Sequence, residues 1–384
     1  MSSRRFWVAV FTSLTLVTFG IGWGVNTYLI DKRIELAGER LALLGTLRRD
    51  ALERYVDTAA AELSFWGAND FILEQQAWIV AAWQEAVAAG RDPAAYLRKT
   101  YTEGDSSSRG QKQTKNAAIY EELHAQLHPT ARRFVTERGY HDFFLISPGG
   151  DIHYSVEKEN DFTTNLMTGP YKDSGLGDVF RQVIASPESR AVRVSDLQAY
   201  APSGGKPAMF LARAMYDHDG QFIGVIALQS PTEKIQLIMH FDKGMGETGE
   251  TYLVGQDYLM RSDSRFSELP TVLKQRVESG TAQRALRGEY GVEFTTDYRG
   301  VEVLSAYSSL PIGETNWAVM AEIDKAEILE SATSERPVIA GFMLFFYSLG
   351  IWSAWFIQRS ESSGRSGELM ADLDVDSSGD FLGS

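Results

Sequence analysis

The chain has 384 residues, of which 51 are acidic and 37 basic, giving a formal net charge of −14. Its 20 Phe, 16 Tyr and 8 Trp exclude a chain that is disordered throughout, and the net acidity argues against a nucleic-acid partner, which needs clustered Lys and Arg. Cysteine is absent, which excludes disulfides, thiolate metal sites and a cysteine nucleophile.

Residues 1–5 form a short N-terminus ahead of an uncharged run of 25 positions from Phe6 to Ile30. A helix rises about 1.5 Å per residue, so residues 6–30 span the roughly 30 Å hydrocarbon layer of a bilayer. This segment lacks the short apolar region and small-residue cleavage site of a signal peptide and reads as a retained anchor. A second uncharged run, residues 337–358, ends in Trp352 and Trp355 and is followed by Arg359, an aromatic belt with a basic stop. Residues 359–384 form an acidic tail, read as solvated and disordered. Lys and Arg crowd both sides of the anchors, so charge alone does not orient the chain. Both ends are expected in the cytoplasm, with residues 31–336 outside the inner (plasma) membrane, in the periplasm. The two ends carry +2 (residues 1–30) and −4 (residues 337–384), leaving −12 for the part between.

From Asp31 the pattern is helical, with Leu41, Leu44, Leu47, Ala51, Tyr55, Ala59, Leu63 and Trp66 recurring every three or four residues. The spacing predicts a long stalk helix whose apolar stripe calls for a partner, hence a homodimer. Further helices are expected over 72–89, 94–100 and 115–138, with a polar loop from Gly104, so that 31–139 is a helical segment. After Gly139 the period becomes strand-like. Strands are expected over 143–147 and 151–156, a helix over 176–185, and strands over 191–196, 209–215 and 222–228. The same order then repeats, with strands at 251–254 and 258–262, a helix over 271–286, and strands at 291–295, 301–308 and 316–322. A period of about 100 residues with matched element order predicts a duplication: a distal domain over 140–240 and a membrane-proximal one over 241–332. The fold class is therefore α+β. Two tandem antiparallel sheets, each of five strands under a helix, stand on a helical stalk flanked by two transmembrane helices.

The stretch from Glu137 to Leu166, continued by Gly169–Leu176 and by Gly246–Val254, resembles the double Cache (tandem PAS-like) sensor modules of bacterial chemoreceptors, sensor kinases and membrane-bound nucleotide cyclases. The resemblance implies a membrane-anchored receptor that binds a small solute in its distal half and relays a conformational change through the membrane helices. No output-domain pattern follows Arg359, which implies a separate signalling protein as partner. The Arg-x-Trp-Tyr pattern of the amino-acid-sensing branch is missing near Tyr171, Lys172 and Asp173.

In the distal half, Tyr154, Asn165, Tyr171, Asp173, Asp196, Tyr200 and Arg213 are the candidate ligand-binding residues. They place hydroxyls, an amide and carboxylates on strands and loops, which suits a small polar or cationic metabolite. Neighbours on a strand cannot both face inward, so these positions compete. His124 and His128 stand at i and i+4 on one helix, where Glu121 could join them, but the pattern is not His-Glu-x-x-His because Ala125 occupies the glutamate position. Gly244–Gly249 fits Gly-x-Gly-x-x-Gly but precedes a strand, which makes it a linking loop. The tail from Asp374 to Phe381 resembles the first half of a calcium loop without its closing glutamate. No nucleophile elbow, catalytic triad or phosphate loop stands in a fitting context, so neither catalytic residues, cofactor nor metal is expected. The rival reading is an extracytoplasmic protein-binding scaffold without a small ligand.

Overall fold

The computed structural model describes residues 3–102, 115–241, 243–333 and 340–357, together with Pro337 and Arg359. The calcium-loop-like tail and the loop from Gly104 lie outside the described residues. The chain divides into two units, residues 1–37 with 325–384, and residues 38–324.

The first unit holds the start of α1 (Ser3–Trp66), α8 (Lys325–Thr333) and a C-terminal helix over 340–357. Among the described residues, two helices are long and apolar enough to cross a membrane, within Trp7–Trp66 and over Ala340–Ile357. Their apolar side chains, among them Leu16, Phe19, Trp23, Phe345 and Trp352, are exposed. The two helices touch through Thr15 Oγ1 and Tyr347 Oη, 3.2 Å apart. A Cβ at Gly22 would overlap Met343 and one at Gly350 would crowd Leu14, so small residues stand where the helices come close.

The second unit begins on α1 at Gly38 and continues through α2 (Asp70–Ala88), α3 (Pro93–Tyr101) and α4 (Lys115–Arg138). Asn69 caps α2 by accepting from Ile72 N, and Asp92 caps α3 from Ala95 N with Pro93 at the first helical position. The distal sheet comprises β1 (Asp142–Ile146), β2 (Ile152–Ser155), β3 (Arg193–Val194), β4 (Gln198–Tyr200), β5 (Lys206–Tyr216) and β6 (Phe222–Pro231). Its order is β2-β1-β6-β5-β3, with β4 also pairing β5, and helix α5 (Gly175–Ala185) precedes β3. A short helix, α6 (Glu233–Met239), leads to the proximal sheet of β7 (Glu250–Val254), β8 (Gly291–Thr296), β9 (Glu302–Ile312) and β10 (Thr315–Asp324), ordered β7-β10-β9-β8, with α7 (Gly280–Leu286) before β8. All pairings are antiparallel.

The duplication shows in the register. Asp142 opposes Gln229 across β1 and β6, and Glu250 opposes Glu322 across β7 and β10. The proximal half departs from five strands. Residues 258–262 make only the isolated bridges Val254↔Met260 and Leu259↔Arg276, with Tyr258 at φ +64° and Ser262 Oγ accepting from Leu253 N at 3.0 Å. The helix expected over 271–286 forms only from Gly280, because the stretch before it pairs with residues 258–260, Leu273 N donating to Met260 O at 2.9 Å and Val277 N to Tyr258 O at 2.8 Å, with Leu273 at φ +57°.

Each sheet has two differently covered faces. One distal face packs Phe143, Leu145, Tyr154, Leu211 and Leu228 against α1, α2, α3 and α4; the other packs Phe144, Ile152, Phe210 and Ala227 against α5. The proximal sheet buries Tyr252, Ala318 and Met320 under α7. The halves are joined by a charged clamp. Arg261, 2% exposed, gives Nε to Asp196 Oδ1 at 3.0 Å and Nη2 to Oδ2 at 2.7 Å, while Trp317 Nε1 donates to the same Oδ1 at 2.7 Å.

Arg261→Met is expected to cost roughly 3 kcal/mol in urea unfolding of the full chain, the lower range for removing one partner of a buried pair, since Asp196 keeps some water. Arg261→Lys, which keeps the charge and loses the fork, should fall between the two. An unfolding midpoint equal to that of the wild type for Arg261→Met would mean that the clamp does not hold the halves together.

Candidate ligand site

The α5-covered face of the distal sheet becomes polar at one end. Phe144 and Ala227 face α5, so by strand alternation Asp142 and Gln229, two residues away on the same strands, face the same side. Tyr200 and Phe210, whose rings meet edge-on at 4.7 Å, belong to this face too. Tyr200 donates to Asp161 Oδ2. Gln229 Nε2 donates to Ser203 Oγ at 2.9 Å, Ser203 Oγ donates to Glu159 Oε2 at 2.5 Å, and His141 Nε2 lies 3.1 Å from Glu159 Oε1. The chain of polar groups opens onto a cavity of about 480 Å³ whose wall includes His141, Ser203, Lys206, Gln229, Asp263 and Lys274.

Acceptors outnumber donors here. Asp142 Oδ1 takes the amides of Phe143, Val156 and Glu157, but Asp142 Oδ2, Asp161 Oδ1 and Gln229 Oε1 are buried without a hydrogen-bond partner among the described residues. Burial pushes the Asp142 carboxyl up to about 8, with the Asp161 charge adding to it against the three amide bonds. Burial likewise raises Asp161 to about 6, opposed by the Tyr200 hydroxyl. The hydrogen bond to Glu159 holds His141 above its ordinary range. Burial would raise Glu159, but the bonds from His141 and Ser203 outweigh it and leave it below the usual carboxylate range. The buried acceptors of this face can take a group that brings N–H donors and positive charge, while Lys206 and Lys274 stand on the cavity wall outside them.

Of the residues singled out from the sequence, Tyr200 stands in this cluster, and the Tyr171 ring is 6.4 Å from it. Asp173 is exposed on the loop before α5. Asn165 builds a turn, donating to Gly149 O and Asp151 Oδ1 and accepting from the amides of Met167 and Thr168. Asp196 is spent on Arg261 and Trp317. Tyr154 and Arg213 belong to the opposite face, Tyr154 among the α4 contacts and Arg213 with Nη1 on Ser64 O of α1 at 2.9 Å. Sequence reasoning passed over Asp142, Asp161 and Gln229. Its available signal was the repeat itself: an acid opens the first strand of each half, and a long polar side chain faces it from the last.

On the opposite face, His124 and His128 stack at 4.5 Å, and His128 Nδ1 lies 3.1 Å from Tyr154 Oη. Glu121 Oε1 accepts from Tyr96 Oη, and no group of three potential metal ligands occurs among the described residues. Burial, with the nearby Lys158 charge, lowers His124 to about 3 and His128 to about 4, so both are neutral imidazoles. The Lys158 ammonium is itself buried over the rings of Tyr101, Tyr154 and Phe162, and burial lowers it to about 8.

A comparison with curated proteins found no match. Among solved structures, the chain is similar to the sensory domain of the Campylobacter jejuni chemoreceptor Tlp3, at 13% identity over 79% of this chain and 98% of that one, with a TM-score of 0.45. It is also similar to the ligand-binding domain of the Pseudomonas fluorescens chemoreceptor CtaA in complex with L-serine, at 13% identity, 79% and 98% coverage and a TM-score of 0.42. A third similarity is to the ligand-binding domain of the Pseudomonas aeruginosa PAO1 amino acid chemoreceptor PctC in complex with GABA, at 14% identity, 71% and 100% coverage and a TM-score of 0.37. The family model for the Cache domain matches residues 42–332. With two tandem antiparallel sheets behind a long helix and three quarters of its length inside that match, the chain belongs to the Cache domain family.

Proposed function

We propose that the chain is a membrane-anchored sensor whose distal half, residues 140–240, binds a small solute bearing an ammonium or similar N–H-rich cation. The observation that carries this reading is a set of three buried acceptors without a partner among the described residues, Asp142 Oδ2 and Gln229 Oε1 on one sheet face and Asp161 Oδ1 on a neighbouring turn, with Gln229 bordering the open cavity. A protonated amine brings three donors and the charge that two buried carboxylates lack, so it is held by charge-assisted bonds of the stronger kind. Tyr200, Phe210 and Tyr171 supply ring surface next to that charge. In this reading residues 6–30 and 337–358 cross the membrane and the segment between them is periplasmic; the stalk stripe that called for a second copy is covered within the chain, with Leu41, Leu52, Ala59 and Leu63 buried. The bound state differs from the free one in the spacing of the two halves, and a separate protein reads the change. The solute shifts that equilibrium only to the extent that it binds one arrangement better than the other.

Two measurements test this. The first is a thermal-shift screen of the full chain in detergent, setting small amines against carboxylates of matched size. An amine at 100 times its Kd should add about 2.7 kcal/mol of stability, and Gln229→Ala or Asp161→Asn should abolish the shift. Stabilisation by anions alone, or by no small molecule while a protein partner does stabilise, would move the reading to a scaffold.

The second measurement is stability against pH without ligand. Asp142 titrates near 8 when folded and near 4 when unfolded, so between those values the folded state holds the extra proton and stability falls as pH rises. Asp142→Asn keeps the acceptor used by three amides and removes the buried charge. It should flatten the fall between about pH 5 and 8 and leave the variant more stable than the wild type at pH 8. An unchanged slope in the variant would show that Asp142 is charged and compensated in the free protein.

A further inference from the structure

We propose that the helical cap on the opposite face of the distal sheet holds a second ligand site, a cavity for a small uncharged aromatic molecule. The cavity measures about 290 Å³ and lies among α2, α3 and α4, walled by Ile79, Ala82, Trp83, Ala86, Leu97 and Tyr120. None of these residues borders the polar site described above.

Three features define the occupant. The first is size: an apolar cavity of about 150 Å³ suffices for benzene, so this one admits one ring or two fused rings. Alanines at i and i+4 on α2 leave the space that leucines would fill. The second is polarity. The hydroxyls and carboxylate at its border already have partners: Tyr120 Oη donates to His153 O at 3.0 Å, Tyr96 Oη to Glu121 at 3.1 Å, and Asp92 Oδ1 accepts from Ala95 N at 3.0 Å. Arg91 and Asp92 at the mouth have opposite signs, so no net charge selects an ion. The third is shape. Trp83 and Tyr120 offer ring surface, and aromatic rings pair by offset stacking or edge contact.

The cavity is also connected to the sheet. His153 on β2 is 1% exposed, its two ring nitrogens have no partner among the described residues, and its ring meets that of Trp83 at 4.4 Å, tilted by 32°. Tyr120 reaches the backbone of the same residue. Two walls of the cavity therefore rest on His153, and a molecule that moves Trp83 or Tyr120 acts on the strand beside Asp142.

The test uses the full chain in lipid nanodiscs with indole as probe, read by saturation-transfer NMR against empty nanodiscs and by the melting temperature of each variant. Wild type and Gln229→Ala should both show saturation transfer above the empty-disc background, since the polar site takes no part. Ala86→Leu and Ala82→Leu should each reduce the signal at least tenfold while melting at or above the wild-type temperature, because they fill space rather than open it. Signal at background in the wild type, signal that survives both leucine variants, or leucine variants that both melt well below the wild type would each overturn the proposal. Loss on Gln229→Ala alone would place indole in the polar site and overturn it as well. Amine binding, read separately in the same samples, keeps the failure of either site distinct from the other.

Discussion

Burying a carboxylate without a cation is the constraint around which the distal half is arranged. Asp142 stands at the head of β1, fully enclosed, and three backbone amides serve one of its oxygens while the other has no donor among the described residues. The corresponding place in the proximal half shows what a self-contained solution looks like. Glu322 accepts from Tyr252 Oη at 2.8 Å and Ser305 Oγ at 2.7 Å, and Glu250 from Tyr298 Oη at 2.6 Å and Ser264 Oγ at 3.0 Å. Burial still raises both carboxyls, Glu322 to about 7, but all four oxygens have neutral donors. One duplicated register thus carries two different outcomes. The proximal sheet has closed its polar pair with hydroxyls; in the distal sheet Asp142 Oδ2 and Gln229 Oε1 have no such donor among the described residues, and burial favours the neutral Asp142 carboxyl.

The clamp between the halves gives that difference a route outward. Asp196 lies on the turn between β3 and β4, next to Ser195, whose Oγ accepts from Phe210 N at 2.9 Å on the α5-covered face. One residue on, the Asp196 carboxylate holds Arg261 and Trp317 of the proximal half. Gly313, at φ +57° in the β9–β10 turn, sits so close to Val194 that a Cβ there would overlap its carbonyl. A shift of β5 or β4 around a bound cation, as proposed, would be felt by the proximal sheet through a bidentate ion pair and a tight backbone contact, both of which resist small displacements.

Much of the architecture was legible in the sequence because it rests on local periodicity. The uncharged runs, the stalk stripe and the strand order of each half are one-dimensional patterns that burial reads directly. What was not legible depends on side chains meeting across the fold. The helix expected over 271–286 carries helical periodicity, yet residues 273–277 give their backbone bonds to 258–260, a partner distant enough in the chain that periodicity does not show it. Asp196 and Tyr154 have the chemistry of ligand contacts, but Arg261 claims one and the α4 face the other. Conversely Asp142 and Gln229 flank apolar runs and look like strand ends until the register places them opposite each other.

The sheet also sets what the two faces can do to each other. Successive residues of β1 point to opposite sides, so the strand that carries Asp142 toward the polar cluster carries Phe143 toward the helical cap. Neither face can move its strands without moving the groups on the other. A molecule among Trp83 and Tyr120 and a cation at Asp142 would therefore be thermodynamically linked, each changing the other's affinity by the same factor, whatever the sign. The sign follows from which strand arrangement each prefers. A cap ligand that pushes His153 and β2 toward the polar face narrows the site and opposes the cation, whereas one that draws Trp83 away relieves that crowding and favours it. Coupling of this kind needs no path beyond one layer of backbone.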